Sequence, residues 1–282
     1  MSIQTVSQAA IARAASGTAA APKLLPLGEW PDQLLSRERR LAIYGAILFA
    51  LLLPFAVAWG WDERVLRGAN VWLKPMKFTA SIALLALTTA WFAGHLPLAR
   101  RTSRAMDWIV WLLIGAGSFE LAYITLQAAL GQGSHYNVGD AFHGTMYTLM
   151  GVGAPVLTAT QPMLAWQLYR HPDPALPAVY RQAVLIGLVL TFVLGASVGG
   201  ILAGQQPPTD GPTLPLLGWS LGGGDLRPAH FAGIHAEQLL PLLGFVLAAL
   251  GLRRAKSWLW AATVVYVALF AALLGWGLAG RV

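Results

Sequence analysis

The chain has 282 residues, of which 56% are hydrophobic and 11% are charged. Soluble domains usually carry about 25% charged residues, and here the deficit accompanies long apolar runs, which excludes a large soluble core. Cysteine is absent, which excludes structural disulfides, iron–sulfur clusters and thiolate metal sites. The formal net charge of +7 comes from short basic clusters between apolar runs, so it indicates membrane topology and not a nucleic-acid partner.

Seven apolar segments are each near or above the ~20 residues that cross ~30 Å of hydrocarbon. We predict spans at 41–60, 72–94, 106–130, 142–169, 180–203, 229–251 and 257–279. The fold class is therefore all-α, a polytopic membrane protein with a seven-helix transmembrane bundle over 41–282. Residues 1–40 are predicted to be a cytoplasmic tail that is partly disordered.

Glycine and proline residues bear on the structure of two of these spans. The fourth is interrupted by Gly151, Gly153, Pro155 and Pro162, and the orientation of every later span reverses if this segment is re-entrant. The fifth contains a GxxxG pair, Gly195 and Gly199, which favours close packing against another helix.

Lysine and arginine lie mainly on one side of the predicted bundle. They occupy the N-terminal segment and the second, fourth and sixth loops, at Arg13, Lys23, Arg37, Arg39, Arg40, Arg100, Arg101, Arg104, Arg170, Arg181, Arg253, Arg254 and Lys256. The positive-inside rule then puts the N-terminus in the cytoplasm and the C-terminus outside, for a multi-pass protein of a bacterial inner membrane. The first loop departs from this rule through Arg64, Arg67, Lys74 and Lys77, and the two lysines need a separate explanation.

Ionisable residues inside a membrane are costly, so each is a candidate functional group. Glu120 lies near the middle of the third span, and Tyr123 and Gln127 follow on the same helical face. In the sixth span His230 and Glu237 are seven residues apart and share a face, with Glu237 about 12 Å below the outer boundary, close to the depth of Glu120. The candidate catalytic residues are Glu120, Glu237 and Lys77.

Four of the six histidines lie at or near the outer face. His135, His143, His230 and His235 are the candidate metal ligands, and a metal ion or haem is the cofactor that the sequence leaves open. The candidate ligand-binding residues are Lys74, Arg227, Tyr123, Gln127 and Gln238. Together they predict an outward-facing polar cavity among spans 2, 3, 4 and 6, roofed by the fifth loop at about 204–228.

Each of these residues also has a purely structural interpretation. In this interpretation we expect Glu120 to pair with Lys77 and His135 to be solvated or to cap a helix. His230 is expected to donate to a loop carbonyl. Asp140 is the N-cap of the fourth span, and Arg227 forms a local ion pair with Asp225. The functional interpretation depends on all of them lying on one side of the membrane.

Three function classes follow, and whether the protein is an enzyme stays open. A metal- or haem-dependent redox enzyme is slightly favoured over a proton-coupled transporter. The third class is a sensor or accessory subunit that binds a small anion or an anionic lipid. A retinal protein is excluded because residues 258–279 contain no lysine. The expected partners are the lipid bilayer and a small-molecule or anionic lipid ligand, with no nucleic acid; the oligomeric state is left open.

Three motifs carry a resemblance. They are Trp72-Leu73-Lys74-Pro75-Met76-Lys77-Phe78, then Ser134-His135-Tyr136-Asn137, then Gly224-Asp225-Leu226-Arg227 running to His230, His235 and Gln238. From about residue 60 to 250 the chain resembles a group of uncharacterised bacterial seven-span integral membrane proteins. The resemblance implies a seven-span fold without implying an activity, and it directs attention to Lys74, Lys77, His135, Arg227, His230 and His235.

Overall fold

A computed structural model of the chain describes residues 26–214 and 217–279. Most of the predicted tail, residues 1–25, therefore lies outside the described residues. The described part is all-helical, with a short 3-10 turn at Leu27–Glu29 and a two-residue hairpin of β1 (Val65–Leu66) and β2 (Ala69–Asn70). Its ten α-helices are α1 Trp30–Arg37, α2 Arg39–Trp61, α3 Leu73–Ala93, α4 Leu98–Arg101, α5 Arg104–Ala129, α6 Ala141–Arg170, α7 Ala178–Ala203, α8 Arg227–Ile234, α9 Ala236–Ala249 and α10 Ala255–Ala279.

Five helices in the described residues are long and apolar enough to cross a membrane, namely α2, α3, α5, α7 and α10. A sixth span is obtained if α8 and α9, which are bent by 49° at His235, are counted together. The chain is therefore an all-α membrane protein, with five to six candidate spans in its described residues. The fourth predicted segment forms one continuous helix, α6, of 30 residues with Pro155 and Pro162 inside it, but its composition leaves it outside this set.

The connecting segments gather at two ends of the bundle. At one end, termed the loop-5 end, Arg64 Nη1 donates to Ala129 O at 3.0 Å and Arg67 Nη2 donates to Pro207 O at 2.5 Å. These bonds join the first loop to the end of α5 and to the fifth loop, residues 204–226. At the opposite end Arg40 Nη1 lies 2.6 Å from Asp107 Oδ1, which joins the starts of α2 and α5. Successive long helices therefore alternate in direction.

Helix α6 begins at a side-chain cap. Asp140 Oδ1 accepts a hydrogen bond from the backbone amide of His143 at 3.0 Å, which satisfies one of the amides that lack a partner in a first helical turn. The structural interpretation of Asp140 as an N-cap is thus confirmed. Helix α6 starts at the loop-5 end, because Tyr147 Oη near its start donates to Ala203 O at the end of α7.

Glycines let α7 and α8 approach closely. A Cβ atom on Gly233 would lie 2.8 Å from Gly195 N, and a Cβ on Gly195 would lie 2.7 Å from the Ile234 side chain. A Cβ atom on Gly199 would likewise lie 3.3 Å from His230 Cε1. The close packing predicted from the GxxxG pair is confirmed, and it lies directly before the break between α8 and α9.

Candidate functional site

The break in the sixth span carries a buried polar network, termed the break site, formed by Thr88, Thr191, His235, Glu237 and Gln238. Glu237 is 0% exposed. Its backbone amide lies in the first turn of α9 and donates to Thr191 Oγ1 of α7 at 2.9 Å. Amides in the first turn of a helix have no acceptor within that helix. Thr191 therefore supplies the acceptor that the Glu237 amide loses at the break.

Gln238 links the members of the break site. Its Nε2 donates to Glu237 Oε1 at 2.8 Å and to Thr88 Oγ1 of α3 at 3.2 Å. Its Oε1 lies 3.1 Å from His235 Nδ1. An amide oxygen can only accept, so His235 carries a proton on Nδ1. Glu237 Oε2 and His235 Nε2 are buried without a hydrogen-bond partner in the described part of the chain.

A second polar group lies on α5. Glu120, Tyr123 and Gln127 are 3%, 3% and 1% exposed, so the stripe predicted on this helix faces protein. Glu120 Oε1, Tyr123 Oη and Gln127 Oε1 are all buried without a hydrogen-bond partner among the described residues. Gly153 of α6 makes room for the carboxylate, since a Cβ there would lie 2.9 Å from Glu120 Oε1.

Four basic side chains converge at the loop-5 end and are termed the cation cluster: Arg67, Lys74, Lys77 and Arg227. Lys74 interacts electrostatically with the other three and with Glu120. Lys77 Nζ donates to Leu217 O at 3.0 Å, Arg227 Nη2 donates to Gly218 O at 2.6 Å, and Arg67 reaches Pro207 O. Three of the four cations therefore hold main-chain carbonyls of the fifth loop.

Carboxylates balance only part of this charge. Arg227 Nη2 forms an ion pair with Asp225 Oδ2 at 2.6 Å, which confirms the predicted local pair. Burial alone would raise the pKa of Asp225, but hydrogen bonds from the Arg227 side chain and from the Arg227 and Ser220 amides outweigh it, so the pKa is lowered. Among the described residues Glu120 acts electrostatically on Lys74 and Asp225 acts on Lys77, so two carboxyl groups lie against four basic side chains.

His135 lies beside this cluster in the third loop. Its ring centroid is 6.0 Å from that of Phe78, and its Nδ1 is 3.2 Å from Ser134 Oγ. Burial, followed by the positive charge of Lys74, lowers the pKa of His135 to about 3. The ring is therefore neutral at physiological pH and belongs to the wall of the cluster without adding charge to it.

The four candidate metal ligands make separate local interactions. His143 bonds to Asp140 and, at 3.0 Å, to Gln132 Oε1. His230 Nδ1 lies 3.1 Å from Gly195 O, which is a helix carbonyl and not the loop carbonyl expected. Within residues 26–214 and 217–279 no three histidine, aspartate or glutamate side chains are grouped closely enough to hold a metal ion.

The two candidate glutamates take part in different sets of contacts. Glu120 lies nine residues from the end of α5, about 14 Å deep, beside Lys74. Glu237 lies level with Thr191, twelve residues from the end of α7 and about 18 Å deep. No hydrogen bond or ion pair joins the two glutamates in the described structure. The structural interpretation expected Lys77 to pair with Glu120, but Lys77 binds the fifth loop instead.

Sequence reasoning missed two groups of partners. Thr88 and Thr191 were overlooked because a threonine inside an apolar helix usually bonds its own helix, and carries no signal of a long-range contact. One signal was present on α3: Lys77 and Thr88 are eleven residues apart, so they lie on the same helical face. The carbonyls of the fifth loop could not be identified, because every residue has one.

Comparison with known proteins gives no relative from which to transfer a function. No known family, curated protein or solved structure matches the chain. Function is therefore inferred from the side-chain geometry alone.

Proposed function

We propose that the protein is a seven-span, inner-membrane protein that binds a small anion, through a carboxylate or phosphate group, at an outward-facing cation cluster. The observation that carries this proposal is the convergence of Arg67, Lys74, Lys77 and Arg227, with Asp225 and Glu120 as the acids acting on them. A cluster of one sign raises the local concentration of the opposite ion. A metal- or haem-dependent redox enzyme stays a prediction from the sequence. No group of three metal-ligating side chains in the described residues favours it.

Main-chain carbonyls satisfy the hydrogen bonds of these cations without neutralising their charge. Lys77 donates to Leu217 O, and Lys74 lies over the Phe78 ring at 5.8 Å from its centroid, with no ion pair in the described residues. An anion would supply both the acceptor and the missing charge, and charge-assisted hydrogen bonds are about twice as strong as neutral ones. The cation cluster therefore favours an anionic ligand over a neutral one.

Seven spans require that α6 crosses the membrane. Its 30 residues extend about 45 Å, more than the hydrocarbon thickness. Its exposed hydroxyls are satisfied internally, since Thr145 donates to Ala141 O at 2.7 Å and Thr148 to Gly144 O at 3.0 Å. Such bonds let a polar residue face lipid, so α6 is compatible with a span. With α8 and α9 as one broken span, the loop charges favour the N-terminus inside.

Single-cysteine labelling tests this topology, because the natural chain has no cysteine. In right-side-out vesicles we expect Gln206→Cys in the fifth loop to react with a membrane-impermeant maleimide, and Arg253→Cys in the sixth loop to react only after permeabilisation. Both side chains are exposed, so access to them depends on the side of the membrane. Reversed or equal labelling would contradict the proposed orientation.

Calorimetric titration with sulfate and with succinate tests the anion site. Loss of one charge-assisted bond costs about 1.5–3 kcal/mol, so Lys74→Gln and Lys77→Gln should each weaken binding about tenfold or more. Lys256→Gln, at the opposite end of the bundle, is the matched control and should bind like the parent. Repeating the titration in phosphatidylglycerol and phosphatidylcholine nanodiscs distinguishes a lipid headgroup, which would compete only in the former. No binding of either probe and no lipid dependence would refute the proposal.

A further inference from the structure

We propose that Glu237, together with His235, is a proton-binding site at the break in the sixth span, and that anion binding at the cation cluster is coupled to proton uptake there. This inference rests on the proposed anion function and names its coupled ion. Discontinuous spans commonly carry ion sites at the break, where freed backbone and polar side chains meet inside the membrane. Here the break coincides with a buried carboxylate that has one unpartnered oxygen.

In the described residues no lysine or arginine side chain acts on Glu237. Thr191 faces it from α7, Gln238 faces it from α9, and Thr88 of α3 is the other partner of the Gln238 amide. The titratable groups nearby are His235 at the break and His230 on α8, which is an electrostatic neighbour of His235. No lysine or arginine in the described residues forms an ion pair with Glu237, so a proton is the cation that can neutralise it.

The two unpartnered atoms at the break site are chemically complementary. Because His235 carries its proton on Nδ1, its Nε2 is an acceptor, whereas Glu237 Oε2 becomes a donor once it is protonated. The step is a proton transfer: one O–H bond of hydronium breaks, one O–H bond forms on the carboxylate, and water is released. No oxidant or reductant is needed.

A continuous set of contacts joins the break site to the cation cluster. Lys77 and Arg227 hold Leu217 O and Gly218 O, and the next residue, Trp219, packs edge-on against Phe231 with ring centroids 5.3 Å apart. Phe231 in turn lies 4.2 Å from the His235 ring. An anion that replaces the loop carbonyls on Lys77 and Arg227 would therefore shift the segment that contacts the break site. Uptake of one proton also offsets the negative charge that the anion brings into the bundle.

Calorimetry in buffers of different ionisation enthalpy measures the protons taken up when sulfate binds. Sulfate is chosen because its own charge is constant over the pH range used. We expect the parent protein to take up about one proton per sulfate, and Glu237→Gln to bind sulfate with affinity within about threefold while taking up none. Glu120→Gln, the other membrane-interior carboxylate, should retain proton uptake, as should Glu237→Asp, which keeps the carboxyl group.

The outcomes separate this inference from the anion function. Sulfate binding without proton uptake, or unchanged uptake in Glu237→Gln, would overturn the inference and leave the anion site intact. If sulfate does not bind, the infrared carbonyl band of a protonated acid still reports on Glu237 without any anion. A band that appears in the parent as the pH is lowered, while exposed carboxylates are still ionised, and that is missing from Glu237→Gln would support the proton site, whereas identical spectra of the two proteins would overturn it.

Discussion

Substituting Gly233 tests whether α8 is held against α7 as closely as the structure shows. A Cβ atom at this position would lie 2.8 Å from Gly195 N and 2.9 Å from Leu194 C, both of them backbone atoms. Because backbone cannot rotate away, one helix must move, at a cost of about 1–3 kcal/mol for an overpacked site. The higher helix propensity of alanine returns about 1 kcal/mol. We therefore expect Gly233→Ala to lower the free energy of unfolding by up to about 2 kcal/mol.

Gly200 is the matched control on α7. A Cβ atom there meets no atom within 4 Å, so alanine brings only its propensity and should raise the free energy of unfolding by about 0.5–1 kcal/mol. Reversible unfolding by sodium dodecyl sulfate in mixed micelles, followed by circular dichroism, measures both variants. Gly233→Ala should be the less stable of the two variants, by about 0.5–3 kcal/mol. Equal stability of the two variants, or a more stable Gly233→Ala, would refute the close approach.

The same unfolding assay checks three further predictions. Thr191→Val removes the acceptor of the Glu237 amide and should lower the free energy of unfolding by about 1–2 kcal/mol. Thr148 is exposed and bonds its own helix, so Thr148→Val should lower it by less than about 0.5 kcal/mol. Equal effects of the two substitutions would contradict the capping role of Thr191. Asp225→Asn leaves the half-buried Arg227 without its ion pair and should cost about 2 kcal/mol, and a neutral effect would show that the pair does not anchor the fifth loop. The pKa of His135 is about 3 in the folded protein and about 6.5 when unfolded, so between these values only the unfolded chain takes up the proton and stability falls as the pH falls. His135→Gln should reduce that slope by up to about 1.4 kcal/mol per pH unit, and an unchanged slope would show that the ring is not held neutral.

Much of the fold could be predicted because its signals are local. Apolar runs define α2, α3, α5, α7 and α10, the spacing of Glu120, Tyr123 and Gln127 predicts their shared buried face, and the cap at Asp140 is readable from residue type. The break at His235 was not predicted, since no proline or glycine stands at the bend itself. It lies beside the contact of Gly233 with α7, which involves residues far apart in the sequence.

The candidate site was predicted less completely for the same reason. Depth counted along each span puts Glu120 and Glu237 at similar levels, but such counting carries no information on the lateral position of each helix. The structure puts α3 in contact with both groups, through Lys74 on one side and Thr88 on the other. The departure of the first loop from the positive-inside rule was the better guide, because Lys74 and Lys77 belong to the cation cluster.

Side-specific anion binding tests the central claim most directly. Radiolabelled sulfate is equilibrated with right-side-out and with inverted vesicles that contain the parent protein or Lys74→Gln. We expect saturable binding to right-side-out vesicles of the parent, and a loss of about tenfold or more in affinity for Lys74→Gln. Saturable binding to inverted vesicles alone, or equal affinity of the parent and Lys74→Gln, would contradict an outward-facing anion site at the cation cluster.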